Sequence, residues 1–550
     1  MYDMCSVNYS GHIAAPESII PLMTGPHTAP EGADRVIVIG AGIAGLTAAA
    51  RLAQAGLSVT VLERHGTPGG KMRTLPSPAG PVDTGPTVLT MRPVFDDLFA
   101  ALGERLEDHV TLHRQSLLAR HFWPDGSRLD LHDDPALNRD AITAFAGPKA
   151  ARQFHAFSTR AHQLFDAFDA PIMQAPAPSL GKLTLHCLTR PWLLPRMAPG
   201  KTLAQLLDSS FDDPRLAQLF GRYATYVGGS PYGVPAILSL IWQAEAAGVW
   251  AIEGGMHRLA TALADIATAR GARFHYDTHV ARIEATNGRA RAVHLSDGTR
   301  IPAETILFNG DPRALATGVL GPDTSTVAQQ TRHTDRSLSA EVWAFAATPQ
   351  GHDLAHHNVF FRADPKPEFD ALARGHYAPD PTLYICAMDR GLPTAPPQLE
   401  RFEIIANAPP LTDGHPQEPA SCQTRTFRTL ARFGLTFSPE PNHTALTTPH
   451  GFDTLFPASA GSLYGQSPHG MTAAFQRPTA RTPIKGLYLA GGGTHPGAGV
   501  PMATLSARHA AEAILSDRTS TSPSRRTATP GGTSTPSATA AAARSASSGS

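Results

Sequence analysis

The pattern of apolar and polar positions is clearest near the start of the chain. Arg35 to Glu63 begins with a short apolar run typical of a buried parallel strand. A glycine-rich turn follows, and then an alanine-rich stretch with helical spacing over Ile43 to Gly56. Ser58 to Leu62 is a second apolar run. The pattern predicts a strand, a tight turn, a helix and a strand.

Two later stretches show similar alternation. Arg273 to Asn309 predicts short strands, with hairpin signals at Asn287-Gly288 and Asp297-Gly298. Gly486 to Leu515 predicts a strand, a glycine turn and a helix. The stretches between are richer in proline, histidine and aromatic residues. These patterns indicate an α/β fold whose nucleotide-binding domain is discontinuous in sequence.

The domain boundaries follow from this alternation. The last residues are almost all Ser, Thr, Ala, Pro, Gly and Arg, a composition that cannot form a packed core. The predicted segments are a disordered leader, 1–33; the first segment of a Rossmann-like nucleotide-binding domain, 34–134; a substrate-binding and membrane-associating insertion, 135–245; the second nucleotide-binding segment, 246–315; a substrate domain, 316–477; the third nucleotide-binding segment, 478–516; and a disordered tail, 517–550.

A glycine motif carries the first chemical inference. Gly40 permits the tight turn, Gly42 lets the backbone approach a pyrophosphate, and Gly45 lets helix and strand pack closely. The helix N-terminus then supplies amide donors to the phosphates. Glu63 ends the second strand, where an acid accepts hydrogen bonds from a ribose hydroxyl. The motif predicts a dinucleotide cofactor and leaves NAD and FAD both open.

Composition and charge exclude other classes of function. The 46 basic and 46 acidic residues balance, which argues against a nucleic-acid partner. Four cysteines lie far apart, without a CxxC pair, so neither a zinc ribbon nor a disulfide framework is indicated. The uncharged stretches 223–244 and 486–507 are rich in Gly and Pro and do not predict a transmembrane helix. We expect a cytoplasmic protein that can still rest on a membrane surface.

Three sequence blocks, in this order, resemble the bacterial carotenoid desaturases of the phytoene-desaturase type. They are GGKMR at 69–73, DTGPTV at 83–88 and GLYLAGGGTHPGAG at 486–499. The resemblance covers about residues 34 to 516. Within that family, GGMHR at 254–258 and VPMATLS at 500–506 are most similar to the 1-hydroxycarotenoid 3,4-desaturases, also called hydroxyneurosporene or methoxyneurosporene dehydrogenases.

The resemblance implies a flavin oxidoreductase with FAD as cofactor. It implies that a C3–C4 double bond is introduced into an acyclic 1-hydroxycarotenoid by hydride transfer to the flavin, in carotenoid biosynthesis. The implied partners are the apolar carotenoid, the inner or intracytoplasmic membrane as a peripheral surface, and oxygen or a quinone as electron acceptor. No metal and no nucleic acid are expected.

The resemblance also implies a set of FAD contacts. Related flavin oxidases place an acid after the Tyr-Leu-Ala-Gly strand, where this chain has glycines, so backbone amides are expected to substitute. The implied contacts are Gly40, Gly42 and Gly45 for the pyrophosphate, Glu63 for the ribose, Gly70, Lys71 and Arg73 near the pyrophosphate and flavin, Val280 for the adenine, and Gly492, Gly493, Thr494, Val500 and Met502 around the ribityl chain and flavin.

No side chain stands out as a catalytic base. Conjugation with the polyene would stabilise the cation left after hydride loss, so a strong base is unnecessary. Asp83 and His495 are the weak candidates, and each has a structural alternative, in a loop and in a turn respectively. Glu245 is expected on a helix face or at the surface.

Two further features have two interpretations each. Pro171 to Met197 combines apolar, aromatic and cationic residues, which suits either a membrane-interfacial patch or an ordinary proline-rich loop. His352 and His356 have the i, i+4 spacing of a zinc helix. Because the chain has 25 histidines and no clear third ligand follows, the pair is attributed to chance.

Three alternatives to the 3,4-desaturase remain open. The first is a phytoene desaturase with the same fold. The second is a non-catalytic, prenyl-lipid-binding protein similar to the Rab escort proteins, which predicts an eroded flavin site. The third is a soluble flavin amine oxidase, which predicts aromatic residues framing a polar amine.

Overall fold

The computed structural model describes residues 35–411 and 419–521. The predicted leader and most of the predicted tail lie outside these ranges. One boundary needs correction, since the last helix continues to Thr521, past the predicted start of the tail at Asp517. Among the helices of the described ranges we find no candidate membrane span.

The described residues form twenty strands and fourteen α-helices. The strands are β1 Arg35–Ile39, β2 Ser58–Leu62, β3 Thr74–Leu75, β4 Val82–Asp83, β5 Leu112–Arg114, β6 Leu117–Phe122, β7 Arg128–His132, β8 Trp250–Ile252, β9 Arg273–His275, β10 Val280–Thr286, β11 Arg289–Leu295, β12 Arg300–Pro302, β13 Ile306–Phe308, β14 Ser339–Gln350, β15 His357–Phe360, β16 Leu383–Ala387, β17 Glu400–Ala408, β18 Thr436–Ser438, β19 Leu446–Thr447 and β20 Leu487–Leu489.

The helices alternate with these strands and fill the stretch between β7 and β8. They are α1 Ile43–Gln54, α2 Pro93–Ala101, α3 Pro135–Phe168, α4 Leu180–Leu188, α5 Leu193–Met197, α6 Leu203–Ser210, α7 Pro214–Gly221, α8 Ile241–Ala246, α9 His257–Ala269, α10 Arg313–Ala316, α11 Lys366–Ala373, α12 Pro419–Arg432, α13 Pro449–Leu455 and α14 Val500–Thr521.

A five-stranded parallel sheet is assembled from distant segments of the chain, in the order β20-β13-β1-β2-β9. Its central strand β1 is apolar on both faces, as expected for a parallel strand covered on each side. Val36 and Val38 pack into a core with α1, α9 and α14, whereas Ile37 and Ile39 pack against the antiparallel β10-β11-β12 sheet. The predicted strand–turn–helix segments are therefore confirmed as components of one sheet.

An eight-stranded mixed sheet forms the second layer, in the order β18-β14-β17-β16-β15-β6-β7, with β19 paired to β14. Side chains on a strand alternate between the faces, so each face is built from every second residue. Trp343, Phe360 and Ile404 face a core that includes residues of α12. The next residues along the same strands face the opposite way, towards the cavity described below.

A helical insertion covers that opposite face. Its longest helix, α3, bends at Gly147, which has a φ of 87° and precedes Pro148. The insertion packs around an aromatic core that includes Phe154, Phe157, Phe220 and Trp242. Phe220 contacts each of the other three rings at centroid distances of 4.7–5.7 Å.

Glu245 lies on α8, as expected for a helix face, but its side chain is inside this helical core, so the expected surface position was wrong. Its side chain is 3% exposed and pairs with Arg222, the Nη2 to Oε1 distance being 3.2 Å. The hydroxyls of Tyr223 and Tyr226 donate to the two carboxylate oxygens at 2.8 and 2.7 Å. A buried carboxylate is tolerated here because a cation and two donors satisfy it.

We predict that Glu245→Ala destabilises the protein by about 3–5 kcal/mol, because Arg222 would remain buried without a counter-charge. Urea unfolding followed by tryptophan fluorescence measures this change. Glu253→Ala is the matched control, since Glu253 pairs with His113 but its side chain is 62% exposed; it should cost at most about 1 kcal/mol. Equal losses in the two variants would contradict the buried ion pair.

Candidate active site

A cavity of about 750 Å³ joins the parallel sheet to the eight-stranded sheet. At one end it is lined by the β1–α1 turn and by Glu63, which follows β2. At the other end it is lined by a row of paired residues on the eight-stranded sheet, Val342, Ile405, Tyr384 and Val359. A cofactor site and an apolar compartment are therefore continuous.

The β1–α1 turn can be built only from small residues. A Cβ on Gly45 would lie 2.0 Å from the carbonyl oxygen of Gly40, and one on Gly42 would lie 2.9 Å from Oδ1 of Asn309. Gly40 has a φ of +100°, in the region that favours glycine. The three glycines therefore give the turn the close approaches expected of a pyrophosphate-binding turn.

Glu63 lies where the ribose acid was expected. It is buried, lines the cavity and accepts hydrogen bonds from the amides of Ala41 at 2.6 Å and His65 at 2.9 Å. An ionised carboxylate can accept about four hydrogen bonds, so acceptor capacity remains for ribose hydroxyls. Val280, predicted at the adenine, lines the same end of the cavity.

The other end of the cofactor site carries buried positive charge. Lys71 lines the cavity and donates to the carbonyl of Leu463 at 2.5 Å, and burial lowers the pKa of Lys71 to about 8. Arg477 donates to the carbonyl of Gly492 at 2.7 Å, and burial lowers its pKa to about 10. The negative charge of Asp311 raises both pKa values and partly offsets the effect of burial, whereas the positive charge of Arg336 lowers them further. This excess of buried cations suits an anionic group.

The cavity contacts nine of the predicted FAD residues, namely Gly40, Gly42, Glu63, Gly70, Lys71, Val280, Gly492, Gly493 and Val500. Four others lie behind its wall. Gly45 supports the turn, Arg73 donates to Thr447 at 2.6 Å, and Met502 is half-buried beside the cavity-lining Pro501. Thr494 is buried, and its hydroxyl oxygen has no partner within the protein.

These residues fit FAD. The glycine turn leaves room for a pyrophosphate, Glu63 keeps free acceptor capacity, and the unpartnered hydroxyl of Thr494 lies beside Gly493. The buried cation Arg477 donates to the segment that has glycines where related oxidases have an acid, and Lys71 lines the same cavity. Arg477 and Asn309 were missed in the sequence because neither belongs to a recognisable motif.

The two weak catalytic candidates have structural roles. Asp83 accepts hydrogen bonds from the amides of Met256 at 2.6 Å and His257 at 3.4 Å, at the start of α9, and burial raises its pKa to about 6. His495 bonds through Nε2 to the carbonyl of Ala175 at 2.9 Å. Neither residue is among those that line the cavity, so the structure favours the loop and turn alternatives.

A polar chain enters the cavity wall from the eight-stranded sheet and was not anticipated from the sequence. The hydroxyls of Thr87 and Tyr384 lie 2.7 Å apart, and the Tyr384 hydroxyl lies 2.7 Å from Nδ1 of His357. Thr87 and Tyr384 line the cavity, whereas His357 is buried behind them. The pairing of β15 with β16 brings His357 and Tyr384 together, and Thr87 reaches them from the loop after β4.

The suspected zinc pair does not form a helix. His352 bonds to the carbonyl of Phe433, and the backbone from 351 to 356 is irregular. In the described residues, His356, His357 and Cys386 bring potential ligand atoms within 4.8 Å of one another. A structural zinc site takes four ligands. This group offers three, and we treat it as a hydrogen-bonded cluster.

Comparisons with known proteins agree with this site. Residues 43–515 match the model of the flavin containing amine oxidoreductase family. The chain is 56% identical over 488 residues to the hydroxyneurosporene desaturase of Cereibacter sphaeroides, covering 89% of this chain and 99% of that protein. It is also 56% identical over 485 residues to the hydroxyneurosporene desaturase of Rhodobacter capsulatus, covering 88% and 98%. The solved structure of an oxidoreductase from Methanosarcina mazei shares the fold, with a TM-score of 0.55 at 17% identity, over 88% of this chain and 100% of that one.

We predict that Asp83 makes stability fall as the pH rises from about 4 to about 6. Its pKa is raised from 3.8 to about 6, so in this window the folded protein holds a proton that the unfolded chain has released. Relative to Asp83→Asn, the wild type should lose about 2 kcal/mol of its free energy of unfolding across the window. Urea unfolding at pH 4, 5, 6 and 7 measures the difference, and parallel curves would contradict it.

Proposed function

Because the chain belongs to the flavin-containing amine oxidoreductase family, whose cofactor is FAD, we propose that it is an FAD-dependent carotenoid desaturase. The proposed reaction introduces the C3–C4 double bond into acyclic 1-hydroxycarotenoids of the hydroxyneurosporene or methoxyneurosporene type. The protein is thus an oxidoreductase acting on a CH–CH group in carotenoid biosynthesis.

The continuous cavity is the observation that carries this proposal. It leads from the residues that fit FAD into a compartment walled by apolar side chains such as Val342, Val359, Phe361 and Ile405. An acyclic carotenoid is a long apolar rod, and burying it against such walls is favourable because apolar surface leaves water. A small polar amine would leave most of this wall unused.

Bound FAD supplies the hydride acceptor, which no amino-acid side chain can provide. The apolar wall orients the polyene and excludes water from the reacting bond. Lys71 and Arg477 would stabilise an anionic group of the bound cofactor, and their burial would strengthen this effect. The carboxylate of Asp83 already accepts hydrogen bonds from the amides at the start of α9, so we do not assign it the role of a catalytic base.

The substrate is tested by incubating the purified, FAD-loaded protein with vesicles that contain either phytoene or 1-hydroxyneurosporene. We expect a product with longer-wavelength absorption from 1-hydroxyneurosporene alone, because each added conjugated double bond shifts the absorption maximum. Conversion of phytoene alone would replace this proposal with the earlier desaturation step. Failure to convert either substrate, with no flavin retained, would favour the lipid-binding alternative.

We further propose that the segment from α4 to α5 rests on a membrane. Five of its large apolar side chains are 42–69% exposed, namely Leu180, Leu185, Leu188, Trp192 and Leu194. Two exposed cations, Lys182 and Arg190, lie among them. An exposed apolar face with cationic neighbours is typical of a helix that lies in the interface of an anionic bilayer.

The chain just before α4 ties this apolar patch, α4 to α5, to the cofactor domain through polar contacts. His495, in the turn before α14, bonds to the carbonyl of Ala175, and Arg508 of α14 bonds to Gln174. The proposed membrane-binding surface is thus fixed to the domain that contains the FAD site. A carotenoid dissolved in the membrane would contact the protein at this surface. We propose peripheral attachment to the inner or intracytoplasmic membrane, with oxygen or a membrane quinone as the electron acceptor.

We predict that Leu185→Asp combined with Leu188→Asp weakens binding to anionic vesicles by roughly tenfold or more, because two apolar anchors become charged. Co-flotation with vesicles of phosphatidylcholine and phosphatidylglycerol measures binding. Leu137→Asp is the matched control, since Leu137 is 48% exposed on α3, outside the patch. Equal losses in the control and the double variant would contradict the proposed surface.

A further inference from the structure

The proposed substrate carries its one polar atom close to the bond that is oxidised. In a 1-hydroxycarotenoid the oxygen is bound to C1, and covalent geometry places it within about 4 Å of C3. When C3 and C4 lie at the cofactor, this oxygen must lie beside the cofactor as well. A residue that recognises it therefore belongs next to the FAD site, whereas the rest of the rod extends away.

Thr87 occupies such a position. It follows Gly85 and Pro86 in the DTGPTV block and lines the cavity with them. A Cβ on Gly85 would lie 2.0 Å from the carbonyl oxygen of Lys71, so this loop is pressed against the segment implied to lie near the flavin. Tyr384 reaches the same place from the eight-stranded sheet.

The hydrogen-bond chain behind Thr87 has a preferred direction. Burial, followed by the nearby charges of His356 and Arg222, lowers the pKa of His357 well below 6.5, so the ring is neutral and carries one proton. Its Nε2 is buried and has no partner. Because orphaned buried N–H donors are rarer than orphaned acceptors, the proton belongs on Nδ1.

This assignment sets the role of each hydroxyl. Nδ1 of His357 donates to the Tyr384 hydroxyl, which then donates to Oγ1 of Thr87. The Thr87 hydroxyl then keeps its own proton for a further acceptor, and the neighbouring thiol of Cys386 is a weak one. The thiol of Cys386 lies beside the same two hydroxyls, and burial raises its pKa well above 9, so it stays neutral.

Three other polar side chains of the cavity are already engaged. The Tyr226 hydroxyl donates to Glu245, and Asn407 donates to Glu368. Gln218 accepts from Trp123 and donates to the carbonyl of Arg362. Thr87 differs from these because, once its neighbour Tyr384 is satisfied, its proton is left with a weak acceptor, the thiol of Cys386.

We propose that the Thr87 hydroxyl donates a hydrogen bond to the oxygen on C1 of the substrate, and that Tyr384 and His357 position it. Thr87 is then a specificity-determining residue for oxygenated acyclic carotenoids. This inference rests on the proposed function and adds the group that distinguishes a 1-oxygenated end from a hydrocarbon end. An ether oxygen accepts the same bond, so the site takes both 1-hydroxy and 1-methoxy substrates.

The test compares 1-hydroxyneurosporene with neurosporene, which lacks the hydroxyl. Purified, FAD-loaded variants receive both carotenoids in the same vesicles, and product ratios give the ratio of the two kcat/KM values. Thr87→Val should lower the preference for the hydroxylated substrate about tenfold, the effect of one lost hydrogen bond. Thr87→Ser should keep the preference, and Tyr384→Phe should lower it by a smaller factor.

Tyr232→Phe is the matched control. Tyr232 also lines the cavity, but it lies near the exposed acids Asp208 and Asp364. The ratio of the two kcat/KM values should stay as in the wild type, even where both values change together. Retained flavin absorbance shows that each variant is folded, and Thr87→Ser and Tyr384→Phe keep the test valid if Thr87→Val does not fold.

The outcomes separate the two proposals. An unchanged ratio in Thr87→Val, in a protein whose wild type converts 1-hydroxyneurosporene, would overturn the role of Thr87 alone. A wild type that converts neurosporene and 1-hydroxyneurosporene without preference would overturn that role as well. A wild type that converts phytoene but not 1-hydroxyneurosporene would overturn the proposed function and this inference together.

Discussion

The close approach of α1 to β1 at Gly45 and Gly40 is the constraint on which the cofactor site depends. A single added methyl group would lie 2.0 Å from a backbone oxygen that cannot move independently of the strand. This contact sets the direction of the helix, and hence the place where its free amides meet a phosphate. Asn309, which follows β13, closes the turn from the neighbouring strand and bonds to the carbonyl of Ala490. Three distant segments of the chain thus converge on one turn.

The sequence predicted this region of the fold because its signals are local. The glycines, the apolar run of β1 and the acid at position 63 lie within one strand–turn–helix–strand unit, where each residue type has a single physical reason to be present. The hairpins at Asn287-Gly288 and Asp297-Gly298 were predictable for the same reason, and β10, β11 and β12 confirm them.

The substrate side of the site could not be predicted in this way. Thr87, His357 and Tyr384 are separated by up to 297 residues, and only the pairing of β15 with β16 makes His357 and Tyr384 neighbours. Glu245 was misplaced because an isolated acid in a sequence is most often exposed. Its partners, Arg222 and two tyrosines, are 19 to 23 residues away and lie on a different helical element.

The alternation of side chains in the eight-stranded sheet has a consequence for how such a protein can change. In β14, β15, β16 and β17 one residue in two faces the cavity, as Val342, Val359, Tyr384 and Ile405 do, while Trp343, Phe360, Leu383 and Ile404 beside them fill the core on the far side. Substitutions at the first set reshape the compartment and leave the second set in place. Selection for a new polyene and selection for a stable sheet can therefore act on interleaved positions of the same strands, with little conflict between them.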